Sequence, residues 1–400
     1  MKYRKIRADQ VFDGYKFQKD AVLIVDKSGR VEDLVSVNEA GADVERVQGL
    51  LTPGFINCHC HLELSHMRGR IPEKTGLVDF VFKVVTERHH SADEIAQAIA
   101  SAEEEMRNNG IVGVGDVCNN SLTLAQKQQG RLRYYNFIEA SGWLPSIAPA
   151  RFEQARAVYE SFSGSKSNRF HSSIVPHAAY SVSENLWKQI QPAFQNKVVS
   201  IHNQETAFED EFFLKGTGDF QRMYRLMNVD NAHHQPTRKS SLQSYFDKLK
   251  EAANVILVHN TFIKQEDVDY VRGEAAKGRE KNTQPATPKP KPQTFFCLCV
   301  NANLYIENVL PPVDLLRKNN SSIVLGTDSL ASNWSLNILD EIKTIRKNFP
   351  AIPLEELLQW ATSNGAKALQ MDDEFGSFEK GKRPGVMLIS NKLDQVQKLV

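Results

Sequence analysis

Pro53-Gly54-Phe55-Ile56-Asn57-Cys58-His59-Cys60-His61-Leu62-Glu63-Leu64-Ser65-His66 is the stretch from which the rest of the chain is read. It opens on a Pro-Gly break followed by apolar, β-prone residues, the signature of a strand start. Side chains alternate across a strand, which sends His59 and His61 to one face and Cys58 and Cys60 to the other. Two imidazoles on one face at a strand's end can chelate a divalent metal through neutral nitrogens. Histidines one residue apart also arise by chance in packed or surface positions, so the pair alone is a weak sign. The cysteines, facing away, read as small hydrophobes packed against helices.

Working outward, apolar β-rich runs recur at Ile111–Val114, Tyr134–Ile138, Ser172–Val175, Val198–Ile201, Val255–Val258, Phe295–Val300 and Ile323–Leu325, eight runs with Phe55-Ile56. Helix-compatible sequence lies between most of them. Ser91 with Glu94, and Ser181 with Glu184, have capping-box spacing, and the first of these helices stops at Asn108-Asn109-Gly110. Eight strands, each followed by helical sequence over about three hundred residues, fit a (β/α)8 barrel, although a doubly wound sheet predicts similar alternation. Residues 1–50 and 375–400 carry short alternating strands and turn signals, which predicts a small β-sandwich domain assembled from both termini around a barrel at 51–374. From Arg272 to Thr294 no large apolar residue occurs, and four prolines alternate with lysines; this predicts a mobile surface insertion at about 272–294.

Composition narrows the function. Of 400 residues 41% are hydrophobic and 24% charged, which sustains a large folded core. Lys and Arg number 49 against 48 Asp and Glu, so no global field favours nucleic acid or an anionic membrane. Five cysteines without a framework point to a reducing compartment. The first residues, MKYRKIRADQVFDG, lack the apolar stretch of a signal peptide, and no run approaches the roughly twenty residues of a membrane span. The expectation is a cytoplasmic protein that acts on a small molecule. No phosphate-binding loop and no G-x-S-x-G nucleophile elbow occurs. The zinc deaminases built on H-x-E and P-C-x-x-C are excluded despite His61-Leu62-Glu63, because no P-C-x-x-C is present.

Later strand ends turn the histidine pair into a constellation. His177 follows Ile174-Val175-Pro176, His202 and Glu205 follow the run at Val198, His259 ends Val255–Val258, and Asp328 closes Ile323-Val324-Leu325-Gly326-Thr327. Any one of these is explicable as structure. Together they would ring the carboxyl rim where barrel active sites lie.

Those residues resemble the amidohydrolase superfamily, through Pro53-Gly54-Phe55-Ile56-Asn57-x-His59-x-His61, the His-x-x-Glu of His202 and Glu205, His259, and Gly326-Thr327-Asp328. The likeness is strongest to the branch that deaminates cytosine, guanine, adenosylhomocysteine and aminofutalosine, where His61–Ser65 with Arg68-Gly69, and Pro176–Ser181, have close counterparts. The resemblance implies a distorted (β/α)8 barrel and one divalent metal ion, zinc or iron, on His59, His61, His202 and Asp328. It implies that Glu205 shuttles protons, that His259 polarises the attacked centre or orients the water, and that His177 touches the substrate ring, while Asp328, besides ligating, is a catalytic candidate that can help deprotonate the water. Metal-activated water would then attack an amidine carbon and release ammonia from a purine-like ring, with an adenosine- or aminofutalosine-type nucleoside favoured. Glu63, Arg68 and Glu139 are candidates for the pocket wall. A cyclic-amide hydrolase, a chlorohydrolase and an inactive binding scaffold are the alternatives, and a homodimer is left open because dimers are common among such enzymes.

Two departures bear on this. Strand four, Ser172-Ser173-Ile174-Val175-Pro176-His177, has no lysine to bridge a second metal, which favours a single ion. Cys60 stands where relatives often carry Thr, and Val300 where they often carry Pro. Cys297 and Cys299 read as buried thiols. His66, His89, His90, His171, His233 and His234 read as surface or lid residues, and the stretch from Glu209 to Ser241 as a segment able to fold over the pocket, with Gln235–Leu242 resembling a lid element.

Overall fold

The computed structural model describes residues 3–164, 170–273 and 292–400. All eight expected central strands are present: β1 (Phe55–Cys60), β2 (Ile111–Cys118), β3 (Arg133–Ala140), β4 (Phe170–Pro176), β5 (Val198–Asn203), β6 (Asn254–His259), β7 (Gln293–Leu298) and β8 (Ser322–Leu325). They form two four-stranded parallel sheets, in the orders β4-β3-β2-β1 and β5-β6-β7-β8. Single parallel bridges span both seams, Ala178 with His202 and Cys60 with Asp328. Strands covered on both faces read as continuous apolar runs, and in Asn254-Val255-Ile256-Leu257-Val258-His259 all six residues are buried.

The strands run longer than the apolar periodicity indicates. β2 continues four residues past Val114, through Gly115. A Cβ on Gly115 would lie 2.6 Å from the Cys58 carbonyl oxygen, so glycine is what lets β2 approach β1 here. β7, in contrast, stops at Leu298, and Val300 opens a helix (Val300–Ile306) instead of ending the strand. Ser91 caps its helix (Ala92–Asn108) by accepting from the Glu94 N–H, as its spacing predicts. The second cap is Ser183 and not Ser181: the helix starts at Glu184, Ser183 accepts from the Leu186 N–H, and the Ser181 hydroxyl is engaged by His177. Of the expected insertion, residues 274–291 lie outside the described residues. Arg272 ends one helix, and Gln293-Thr294 already belong to β7.

Both termini meet in one five-stranded sheet, in which Leu50–Pro53 lies between Val386–Ile389 and Gln10–Phe12. A four-stranded sheet of residues 3–46 adjoins it, and Ile6, Leu23, Val25, Leu51, Phe378 and Val386 make a small core of their own. The large core belongs to the eight strands and their helices. No helix among the described residues is long and apolar enough to cross a membrane.

One buried ion pair ties the sheet to the chain beyond His61. Lys127 Nζ lies 2.5 Å from Asp116 Oδ2, both side chains are fully buried, and Lys127 also donates to Asn136 Oδ1 at 2.7 Å. The other Asp116 oxygen accepts the Leu62 N–H at 2.8 Å. Lys127→Met strands a buried carboxylate and is expected to cost about 3–5 kcal/mol, read as a lowered melting temperature that Asp116→Asn partly restores. An unchanged melting temperature would show that the pair has no structural weight.

Candidate active site

The predicted residues meet where the strands end. His61 Nε2 lies 3.1 Å from His59 Nε2 and 3.2 Å from His202 Nε2, and all three histidines are buried. Asp328 Oδ1 is 3.3 Å from His61 Nε2 and 3.6 Å from His59 Nε2, while its Oδ2 accepts from Ser332 Oγ at 2.7 Å. Glu205 Oε1 lies 3.6 Å from His259 Nε2. His177 stands over His202, with ring centroids 4.8 Å apart.

Local backbone fixes this convergence. His59 and His61 share a face of β1, as alternation requires, with Cys58 and Cys60 buried behind them. Asn57 locks β1 to the end of β8, accepting the Thr327 N–H at 3.1 Å and donating to Thr327 Oγ1 at 2.7 Å. The N–H groups of Thr327 and Asp328 both donate to the His59 carbonyl at 3.0 Å. Between these strands a Cβ on Gly326 would meet His59 Cβ at 2.9 Å and Cys297 Sγ at 2.8 Å, so only glycine admits the approach. Asp328, His259 and Gln204, which precedes Glu205, hold left-handed φ values of 59°, 71° and 45°. Each costs about 1–3 kcal/mol for a residue with a side chain, and such strain gathers at functional sites.

Hydrogen bonds set the free nitrogens. His202 Nδ1 donates to the His177 carbonyl at 2.8 Å, leaving the Nε2 lone pair aimed at the cluster. His259 Nδ1 donates to Asn303 Oδ1 at 2.9 Å, which leaves Nε2 facing Glu205. Burial, only partly opposed by Asp328, pushes His61 down to about 3; burial and neighbouring histidines push His177 down to about 4 and His202 well below its usual range. Burial alone would raise the Asp328 carboxyl, but the histidines around it, His59 at 3.6 Å and His61 at 3.3 Å among them, outweigh it and hold it low. Glu205 moves the other way, raised by burial and by the Asp328 charge.

These groups fit a divalent cation. Three ring nitrogens converge on one point, His61 Nε2 within hydrogen-bond distance of both His59 Nε2 and His202 Nε2, and the Asp328 carboxylate faces the same point, a set of donors that suits a divalent ion. Glu139, His177 and His202 form a second close group, but there His202 presents the Nδ1 already committed to a carbonyl. No other group of this kind occurs among the described residues.

A cavity of about 320 Å³ opens over the cluster, with His61, His177, His202, Glu205, His259 and Asp328 on its lining. Leu77, Phe80 and Val84 of one helix (Leu77–Glu87), with Met223 and Met227 in and after another (Phe220–Leu226), cover it with apolar surface. Arg222 clamps the two helices together through both Asp79 oxygens, at 2.8 and 3.0 Å. The stretch from Glu209 to Ser241 therefore reaches the cavity through Met223 and Met227. Gln235 and Thr237, from the expected lid, line a different cavity beside Trp143.

The pocket-wall candidates divide. Glu139 lines the cavity, accepts from Asn119 Nδ2 at 3.0 Å, and is raised to about 7 by burial. Glu63 is also raised to about 7 by burial, but lies behind the wall, where its Oε2 accepts the Asn119 N–H at 3.0 Å. Arg68 is not brought to the cavity: it sits on the outer side of the turn after Met67, half exposed and paired with Glu105. Asn119, Arg88 and Arg151 line the cavity without having been singled out. Asn119 follows β2 directly, so the glycines that hide the end of that strand also hide it. His66 proves to be an inner support, with Nε2 donating to the Arg88 carbonyl at 2.9 Å.

The cluster makes a direct prediction. Removing one ring, as in His202→Ala, is expected to lower affinity for zinc by more than the roughly 10–100-fold that loss of a supporting hydrogen bond costs, with the fold intact by circular dichroism. Undiminished metal content in that variant would remove His202 from the ligand set.

Comparison with known proteins agrees with this geometry. The sequence profile of the Amidohydrolase family matches residues 50–398. An adenosine deaminase of Helicobacter pylori is 24% identical over 339 residues, covering 84% of this chain and 77% of that protein. A 5-methylthioadenosine/S-adenosylhomocysteine deaminase of Thermoanaerobacter pseudethanolicus is 25% identical over 361 residues, covering 86% and 74%. Among solved structures, Helicobacter pylori aminofutalosine deaminase in complex with methylthio-coformycin superposes with a TM-score of 0.78 at 20% identity, over 97% of this chain and 92% of that one, a likeness of fold. With the profile spanning nearly the whole sequence and the fold alike throughout, the chain belongs to the amidohydrolase family.

Proposed function

We propose that the protein is a metal-dependent deaminase that releases ammonia from an exocyclic amino group of a purine-like ring, with an adenosine- or aminofutalosine-type nucleoside as substrate. The observation that carries this reading is the pairing, on one cavity floor, of a cation-ready cluster of three imidazoles and a carboxylate with Glu205 beside His259. The names of the adenine-nucleoside deaminases it resembles supply the substrate class.

His59, His61, His202 and Asp328 would hold one divalent ion. Three imidazoles and one carboxylate suit zinc best, with iron as the second choice. When bound, such an ion supplies Lewis-acid activation of water at neutral pH. The rest falls to the chain's own side chains. Glu205 takes one proton from the attacking water at Oε1 and gives it to the ring nitrogen, then takes the second proton from the same oxygen and gives it to the departing amine, so that the two hydrogens of water end on the ring and on ammonia. Burial raises its affinity for a proton, which suits a group that must keep one between taking and giving it. His259, its Nδ1 anchored on Asn303, turns Nε2 toward Glu205 and the attacked carbon. His177 and Glu139 are the polar contacts to the substrate, and the apolar helices exclude bulk water from it.

The same reading takes the two parallel sheets as halves of one distorted (β/α)8 barrel, supported by the bridges at both seams. It takes residues 1–50 and 375–400 as a composite β-sandwich domain, supported by their shared sheet and separate small core. A cytoplasmic location is in keeping with five buried, unpaired cysteines. Glu205→Gln keeps size and polarity but cannot carry the proton, so turnover of an aminopurine nucleoside is expected to fall by about 10²–10⁴-fold with metal content unchanged. Undiminished ammonia release by that variant would overturn the assignment.

A further inference from the structure

At the end of the strands opposite the histidines lies a larger cavity, of about 500 Å³. Ile111 and Arg133, which open β2 and β3, form one side of it, and Met387, Val396 and Lys398 of the carboxyl-terminal sheet form the other. Asn119, at the far end of β2, lines the histidine cavity, so the eight residues of that strand, on the order of 25 Å, separate the two.

Five basic side chains line this second cleft: Arg107, Arg131, Arg133, Arg383 and Lys398. Their own carboxylates do not neutralise them. Arg107 and Arg131 share Glu104, at 2.5 and 3.4 Å, and Arg133 reaches Glu374 only at 3.6 Å. Asp26 feels the charge of Arg383, yet neither Arg383 nor Lys398 makes an ion pair among the described residues. These five cations share the lining with one acidic side chain, Glu374, while Glu104 and Asp26 act on them from outside it, on a chain whose formal net charge is +1. The floor beneath them is nonpolar, with Ile111, Leu132 and Met387 buried and Phe375 beside them. Solvated surface arginines need neither a concavity nor an apolar floor.

We propose that this cleft binds a phosphate monoester that lays a flat ring on this floor, such as a nucleoside monophosphate. Guanidinium forks match phosphate oxygens two at a time, and the apolar side chains of the floor give the ester's ring a face to pack on. The volume falls within the roughly 300–1,000 Å³ of small-molecule sites. The site is independent of the catalytic reading, since it shares no residue with the histidine cavity.

Calorimetric titration of the full-length protein at low salt tests it, with uridine 5′-monophosphate as probe, because that nucleotide carries no aminopurine to draw it into the other cavity, and with inorganic phosphate in parallel. Saturable binding of the nucleotide is expected, about tenfold or more tighter than phosphate, and about tenfold or more weaker in Arg131→Ala/Arg383→Ala. Both of these side chains are exposed, so that variant is expected to keep its fold and its metal content. No saturable binding, or equal binding by the variant, overturns the site; equal affinity for phosphate and nucleotide overturns the role given to the floor.

Discussion

Three imidazoles gathered inside the protein, with His61 Nε2 3.1 Å from His59 Nε2 and 3.2 Å from His202 Nε2 and a carboxylate beside them, are a constraint the rest of the structure has to meet. Lone pairs so placed repel, and burial removes the water that would separate them. Left alone, the side chains would swing apart. They are held together from behind: His202 by the His177 carbonyl, Asp328 by Ser332, and the His59 backbone by the N–H groups of Thr327 and Asp328. A divalent cation resolves the repulsion, which makes the arrangement a site prepared for one.

The supports extend outward. Asn57 and Gly326 let β8 lie close enough to β1 for Asp328 to face the histidines. The buried Asp116–Lys127 pair holds the Leu62 N–H and so the chain just past His61. Behind β5 and β6, Asn203 donates to Asn260 Oδ1 at 3.0 Å and accepts from Tyr245 at 2.7 Å, pinning the turns from which His202 and His259 project. The left-handed backbone at Gln204, His259 and Asp328 is strain that this scaffold sustains in order to aim the side chains inward.

What the sequence made legible was what the strands dictate. An apolar run ending in His, Glu or Asp announces both the strand and the rim residue, which is why His59, His61, His177, His202, Glu205, His259 and Asp328 could be named from the chain alone and are found together. Residues placed by other means were hidden. Gly113 and Gly115 interrupt the β2 pattern for the sake of packing, which concealed the strand's true end and Asn119 with it. Arg68 was misjudged because the 3-10 turn Leu62–Met67 rotates it outward to Glu105, a direction no strand periodicity forecasts. Met223 and Arg88 reach the cavity from helices whose docking depends on the long-range Arg222–Asp79 clamp, and His66 supports Arg88 from beneath.

The central claim is that one metal-bearing cluster in this cavity deaminates an aminopurine nucleoside. Its most direct test is ammonia release from the zinc-loaded protein on adenosine- and aminofutalosine-type nucleosides, with metal content measured on the same sample. The account predicts turnover with one metal per chain. A protein fully loaded with metal that releases no ammonia from any aminopurine would contradict the assigned reaction, and a protein that retains no metal would contradict the site itself.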